Sequence, residues 1–319
     1  MKVIAIANQK GGCGKTTTAV ALSAALGHNG VRVLLIDLDP QAHATAAAGY
    51  NSAKVSKSIY NVMTKVDNRS CELGDAVLIM EEKFDLVPSC GLLSVIEQEF
   101  KDSPHAVSKL HNAISSNLAA YDYVIIDCPP SLGFLTFNAL RAANSVIIPI
   151  DMGYFSLMGV NKVLDMVELL DSKTGHKPYV KALATMYDRR TTFSEEIIKS
   201  LKERFKENLF STRIGVNVDL RKASRDGISV LRYDMSSSGA RDYLSLADEI
   251  IESQGEEPFE ELESLRIPRE EIAHSLDEEE VEVKPSPTRM RTFFNRLSRI
   301  SRRPVFGKDS VFETLTKKR

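Results

Sequence analysis

The stretch that decides the fold is Lys2–Thr17, KVIAIANQKGGCGKTT. Its first half, Lys2–Asn8, is a short apolar run rich in β-branched residues, the pattern of a strand buried on both faces of a parallel sheet. Its second half is glycine-rich, and Thr16–Leu26 after it is rich in Ala and Leu and is expected to be a helix ending near Gly27 or Gly30. A glycine-rich loop between a strand and a helix is where a phosphate cradle belongs. Gly11, Gly12 and Gly14 carry no Cβ to keep backbone N–H groups from closing around phosphate oxygens. The helix N-terminus adds the positive end of its dipole. Lys15 is placed to neutralise β- and γ-phosphates, Thr16 to offer its hydroxyl to Mg²⁺, and Cys13 and Thr17 complete the phosphate-binding loop. The common phosphate-loop pattern has a glycine at position 9. Here that residue is Gln9, and a second lysine, Lys10, follows it.

Outward from this loop the chain alternates strands with helices. Val31–Asp37, Phe84–Pro88, Tyr123–Asp127, Ser145–Ile150 and Val180–Thr185 have strand character. Ser108–Ala120, Leu157–Leu170, Phe193–Phe205 and Gly239–Glu252 have helical character. The expected fold is α/β: a mostly parallel sheet covered by helices on both faces.

The chain of 319 residues is 43% hydrophobic and 26% charged, ordinary for a globular protein and long enough to bury a sizeable core. No run approaches the ~18 apolar residues of a membrane span. The N-terminus has no signal-peptide pattern. Four cysteines without a CxxC spacing suit reduced thiols in a cytoplasm. The net charge of −2 hides an asymmetry: residues 252–286 carry 13 acids and 3 bases, and residues 287–319 carry 10 bases and 2 acids. The expected organisation is a body over 1–253, an acidic linker over 254–287, mostly extended, and a basic tail over 288–319. In the tail, Met290, Phe293, Phe294, Leu297 and Ile300 fall within ~120° of one helix face and six arginines on the other. That pattern suits an anionic membrane surface, a partner groove or nucleic acid.

KGGCGKT with Lys10 resembles the deviant Walker A motif of the ParA/MinD superfamily of ATPases, and the resemblance extends over about residues 1–251. Two further motifs agree with it: Asp37-Leu-Asp39-Pro40-Gln41 after the second strand, and Tyr123–Gly133, YVIIDCPPSLG. The resemblance implies a cytoplasmic, nucleoid-associated enzyme that hydrolyses Mg-ATP. It implies that Lys10 reaches across a homodimer to the phosphates of the other subunit, as an arginine finger does. It also implies that Asp39 orients the attacking water, that Asp37 helps hold the Mg²⁺ shell and that Asp127 reaches Mg²⁺ through water. Met186 and Asp188, in MYDRRT, are similar to a segment beside the nucleotide base. DLDPQ and DCPPSLG are closer to the ParA branch, which moves DNA or protein cargo and answers to a ParB-like protein or cargo adaptor that stimulates hydrolysis.

Nonspecific DNA binding needs several Lys/Arg facing phosphates. Residues 181–241 hold 13 bases and 8 acids, with Lys199, Lys202, Arg204, Arg213, Arg221, Lys222 and Arg225 as candidates. The family's usual arginines are missing from Ile214–Ala223, where Asp219 stands instead. The alternative within the superfamily is a MinD-like membrane-positioning ATPase anchored by the tail. An iron–sulfur carrier is disfavoured by the spacing of Cys90 and Cys128, and a bacterial tyrosine kinase by the absence of any Tyr after Tyr243.

Overall fold

The computed structural model describes residues 1–64, 66–80, 82–100, 104–117, 120–153, 156–253 and 262–267. Six strands, β1 (Lys2–Ile6), β2 (Val33–Asp37), β3 (Asp85–Val87), β4 (Tyr123–Asp127), β5 (Ser145–Asp151) and β6 (Tyr179–Thr185), form one parallel sheet in the order β3-β2-β4-β1-β5-β6. The helices are α1 (Lys15–His28), α2 (His43–Ala47), α3 (Ile59–Met63), α4 (Ile96–Glu99), α5 (Lys109–Asn117), α6 (Phe134–Ala142), α7 (Ser156–Thr174), α8 (Thr192–Phe205), α9 (Val218–Asp226), α10 (Val230–Tyr233) and α11 (Ser238–Glu252).

The strands are apolar throughout because both faces are covered. Ile4, Ile6, Leu35, Ile125 and Ile147 pack on one side with the apolar residues of α1 and α11. Val3, Ala5, Leu34, Ile36, Val124 and Ile126 alternate with them and are buried on the other, where α6 and α7 lie. Each fully buried aliphatic side chain of this kind stabilises by ~1.5–3 kcal/mol. The layer of α1 against α11 is pinned by a buried hydrogen bond of 3.0 Å between the hydroxyls of Thr18 and Tyr243. The parallel register sets Asp37 opposite Asp127 at the ends of β2 and β4, and Asp151 opposite Thr185 at the ends of β5 and β6. All chemistry therefore gathers at the C-terminal edge of the sheet, the edge at which open α/β sheets bind ligands.

The expected strands and helices are all present, with ends that move by at most four residues. The helices α2, α3, α4, α6, α9 and α10 were not expected. Most are short, and α6 is too apolar to show a polar face.

The acidic linker expected over 254–287 differs from the structure at 262–267. Leu262–Leu265 forms a 3₁₀ turn, and Leu262, Leu265 and Ile267 are buried. The Arg266 guanidinium bridges Asp165 Oδ1 and Glu168 Oε2 of α7, at 2.6 Å each. The side-chain amide of Asn161 pairs with the backbone of Ile267 in both directions, at 2.7 and 2.8 Å. Arg204 of α8 donates to the Arg266 carbonyl. Three apolar side chains in six residues outweigh the local charge, so this segment seats on the body. The rest of the acidic stretch and the basic tail over 288–319 lie outside the described residues. No described helix is long and apolar enough to cross a membrane.

Candidate nucleotide site

The loop between β1 and α1 has the backbone that its glycines permit. Gly12 and Gly14 adopt φ of 78° and 93°, a left-handed region that other residues rarely enter. Gly14 is the N-cap of α1, so the first free N–H groups of the helix face the loop. Thr185 at the end of β6 donates to the Cys13 carbonyl at 2.9 Å and fixes the loop to the sheet. Lys15 is buried, and its Nζ donates to the Lys10 carbonyl at 2.9 Å across the turn. Burial pushes the Cys13 thiol up, so it stays protonated and serves as a small packed side chain. Asn8, fully buried, donates to the Pro149 carbonyl at 2.7 Å and accepts from Lys10 N at 3.0 Å. α7 approaches so closely that a Cβ on Gly159 would lie 2.1 Å from Asn8 Oδ1.

The carboxylates stand beside this loop. Thr16 Oγ1 donates to Asp127 Oδ2 at 2.7 Å. Asp127 Oδ1 is buried and has no hydrogen-bond partner among the described residues. Burial, followed by the charge of Asp37, raises Asp127 well above the usual carboxylate range. Burial also raises Asp37 to about 6, against the lowering effect of its bonds from Thr45 and Asp39 N. An orphaned carboxylate oxygen next to a threonine hydroxyl and a phosphate-shaped cradle fits a divalent cation, whose charge removes this penalty. Among the described residues no cluster of three or more His, Cys, Asp or Glu side chains encloses a metal alone. Mg²⁺ is usually held by one or two protein oxygens together with substrate phosphates and waters, and the pair of Thr16 and Asp127 has that character. Asp37 lies one strand from Asp127, and its own oxygens accept from Asp39 N and from Thr45. Asp39 lies in the turn after β2, where its Oδ1 accepts from Gln41 N at 2.9 Å.

Lys10 Nζ forms an ion pair with Asp151 at the end of β5, 2.8 Å from Oδ2. The sequence reading did not single out Asp151, although it occupies the same strand-end position as Asp37 and Asp127. Met186 follows β6 with a φ of 53° and is partly exposed. Asp188 is bound by Arg190 through both carboxylate oxygens, which pulls its pKa down to about 2.

The candidate DNA contacts fall on two helices. On α8, Lys199 lies 4.0 Å from Glu203, Lys202 is exposed, and Arg204 turns to the segment after α11. Arg213, between α8 and α9, stacks over Tyr187 and pairs with Glu195 at 3.7 Å. On α9, Arg221 is exposed, Lys222 pairs with Asp219 at 3.0 Å and Arg225 with Asp226 at 2.7 Å. Asp219 thus neutralises the lysine nearest to it.

The family model described as an AAA domain matches residues 1–180. The sporulation initiation inhibitor protein Soj of Bacillus subtilis is 39% identical over 250 residues, 78% of this chain and 98% of that protein. The chromosome partitioning protein ParA of Caulobacter vibrioides is 36% identical over 255 residues, 79% of this chain and 94% of that one. Among solved structures, cobyrinic acid a,c-diamide synthase from Mycobacterium smegmatis with bound ATP analog and magnesium superposes with a TM-score of 0.70. It is 31% identical, over 81% of this chain and 98% of that one. The fold and the loop define a P-loop ATPase class. Within it, the chain belongs to the ParA/MinD superfamily.

Proposed function

We propose that the chain is a ParA-like ATPase that alternates between a free form and an ATP-bound homodimer to segregate DNA or position a protein cargo. The observation that carries the reading is the orphaned Asp127 Oδ1 beside Thr16, at the mouth of a glycine cradle that holds Lys15 buried. The relatives named Soj and ParA support the branch, and the neighbour crystallised with an ATP analog and magnesium supports the ligand.

Bound Mg²⁺ supplies positive charge to the β- and γ-phosphates. The backbone N–H groups of Gly11–Thr16 bind phosphate oxygens, and Lys15 neutralises them. Thr16 and Asp127 hold the cation side, and Asp37 stands behind them. Asp39 orients the attacking water from the turn after β2. Met186 and Asp188 border the base. Lys10 leaves Asp151 to meet the phosphates held by the second subunit, where added charge favours phosphoryl transfer. The dimer binds DNA nonspecifically through α8 and α9 and so rides the nucleoid. A ParB-like or cargo-adaptor partner then stimulates hydrolysis and releases it.

The test is a pair of variants followed by fluorescent-nucleotide titration, phosphate release and size exclusion. Lys15→Ala should weaken ATP binding by about tenfold or more, since a hydrogen bond to a charged group contributes ~1.5–3 kcal/mol. Asp39→Ala should bind ATP and dimerise without hydrolysing it. Unchanged ATP affinity in Lys15→Ala, or normal turnover in Asp39→Ala, overturns the reading.

A further inference from the structure

Asp39 sits in a closed ring of hydrogen bonds, two members of which, Thr45 and Ser89, have no part in the proposed mechanism. Its N–H donates to Asp37 Oδ1 at 3.1 Å. Asp37 Oδ2 accepts from Thr45 N at 2.7 Å and from Thr45 Oγ1 at 2.6 Å. Thr45 Oγ1 in turn accepts from Ser89 N at 2.9 Å. Ser89 Oγ returns to the Asp39 carbonyl at 2.7 Å and closes the ring. Asp37, Thr45 and Ser89 have no solvent exposure, and Asp39 is 6% exposed.

The direction of every bond is fixed. A carbonyl only accepts, so the Ser89 hydroxyl must give its proton to Asp39. A backbone N–H only donates, so Thr45 Oγ1 must accept from Ser89 N, and its single proton is left for Asp37. Three rigid supports meet here: the end of β2 through Asp37, the helix α2 through Thr45, and the residue two past β3 through Ser89. They grip both polar groups of the Asp39 backbone. The turn needs that grip, because Ala42, three residues on, is held at a φ of 55°, a conformation that costs a non-glycine residue of order 1–3 kcal/mol.

We propose that Thr45 and Ser89 are positioning residues for Asp39: together with Asp37 they hold its backbone so that its carboxylate meets the attacking water at a fixed place. This rests on Asp39 having the water-orienting role given above. Both hydroxyls are spent inside the ring, on Asp37 and on the Asp39 carbonyl. Their removal therefore loosens the carboxylate without changing the cradle. Supporting groups of this kind typically contribute ~10–100-fold to activity.

The experiment uses the full chain with Mg-ATP and compares Ser89→Ala, Thr45→Val, Thr45→Ser and Asp39→Ala. Ser89→Ala and Thr45→Val should each lower turnover by about tenfold or more, and Ser89→Ala, whose hydroxyl bonds only the Asp39 carbonyl, should leave the nucleotide dissociation constant within about twofold. Thr45→Ser, which keeps the hydroxyl, should restore turnover. If Asp39→Ala stops hydrolysis while Ser89→Ala turns over like the parent, the positioning proposal is overturned. It is equally overturned if nucleotide affinity falls in step with turnover, or if Thr45→Ser is as slow as Thr45→Val. If Asp39→Ala itself hydrolyses ATP normally, the failure belongs to the role of Asp39. Should Thr45→Val not fold, Ser89→Ala against the parent decides alone, by turnover and by nucleotide dissociation constant.

Discussion

Lys10 Nζ is shared between the two carboxylate oxygens of Asp151, 2.9 Å from Oδ1 and 2.8 Å from Oδ2. Asp151 Oδ1 also accepts from Gly153 N at 2.7 Å. The lysine that the family motif adds is thus held within its own chain, at the end of a strand next to the cradle. Any role across a dimer interface must begin by breaking this pair. Asp151→Asn keeps an oxygen for Gly153 N and removes the charge. A half-buried ion pair of this kind contributes about 1 kcal/mol. The ATP concentration or protein concentration that half-saturates dimerisation should therefore fall about fivefold, read by light scattering across an ATP series. An unchanged midpoint would show that Lys10 does not leave Asp151.

If Asp37 and Asp127 serve the cation as proposed, proton and metal compete at the strand ends. Asp37 titrates near 6 and Asp127 well above the usual carboxylate range, both above an unfolded value near 4. Between about pH 4 and 6 the folded chain binds more protons than the unfolded one, so these carboxylates lower stability as pH rises through that window. A cation needs them ionised. The Mg²⁺ concentration that half-saturates nucleotide binding should rise by about fourfold or more from pH 8 to pH 5.5, the effect of a single group near 6. Asp37→Asn should flatten that dependence, since it removes the group near 6 and the charge that raises Asp127. Titrating Mg²⁺ against a fluorescent nucleotide at the two pH values checks both.

The cations of α9 are partly silenced by their own helix. Asp219→Asn removes the 3.0 Å partner of Lys222 and keeps the helical turn. If the ATP-bound form holds DNA through α9, one more free phosphate contact should steepen the salt dependence of duplex binding by about one unit of log–log slope. Affinity at low salt should rise with it. Fluorescence anisotropy with unrelated duplexes across a salt series measures both. A slope unmoved by the substitution places the DNA contacts elsewhere.

Arg266 can be tested by heat. Arg266→Ala removes both ion pairs to α7 and leaves Leu262, Leu265 and Ile267 in place. Partly exposed pairs contribute little singly, and two in a fixed bidentate arrangement contribute about 1 kcal/mol. The melting temperature should fall by roughly 2–4 °C, and protease cleavage within residues 262–267 should accelerate. An unchanged melting curve with unchanged cleavage would show the segment to be held by its apolar side chains alone.

The strands and the phosphate loop were legible because local signals dictate them. VLLID and YVIID are apolar at every position before the closing aspartate, which only a sheet covered on both faces accommodates, and KGGCGKT has a backbone that few other contexts need. Asp37 and Asp127 could be placed at strand ends from the sequence alone, and the register then brought them together. Asp151 ends the run SVIIPID in the same way, and its partnership with Lys10 needed the order of β1 beside β5, which no local pattern encodes. Thr45 and Ser89 lie 44 residues apart and carry no signal until β2 and β3 are paired. α9 had its signals in plain view, an Asn217 cap and Gly227 after its last turn, but Asp219 drew the reading toward charge. Leu262, Leu265 and Ile267 were hidden by the acids around them, since a sum of charges is blind to spacing.

Leu262–Ile267 also changes what a deletion means. A cut after Glu252, at the end of α11, looks like the removal of an acidic appendage. It also strips three buried side chains and an arginine clamp from α7 and α8. The shortened protein then presents fresh oily surface beside α8. Loss of activity in such a protein would report stickiness as readily as lost electrostatics. The acidity of the segment is measured cleanly only by exchanging Glu for Gln within it, with the chain left at full length.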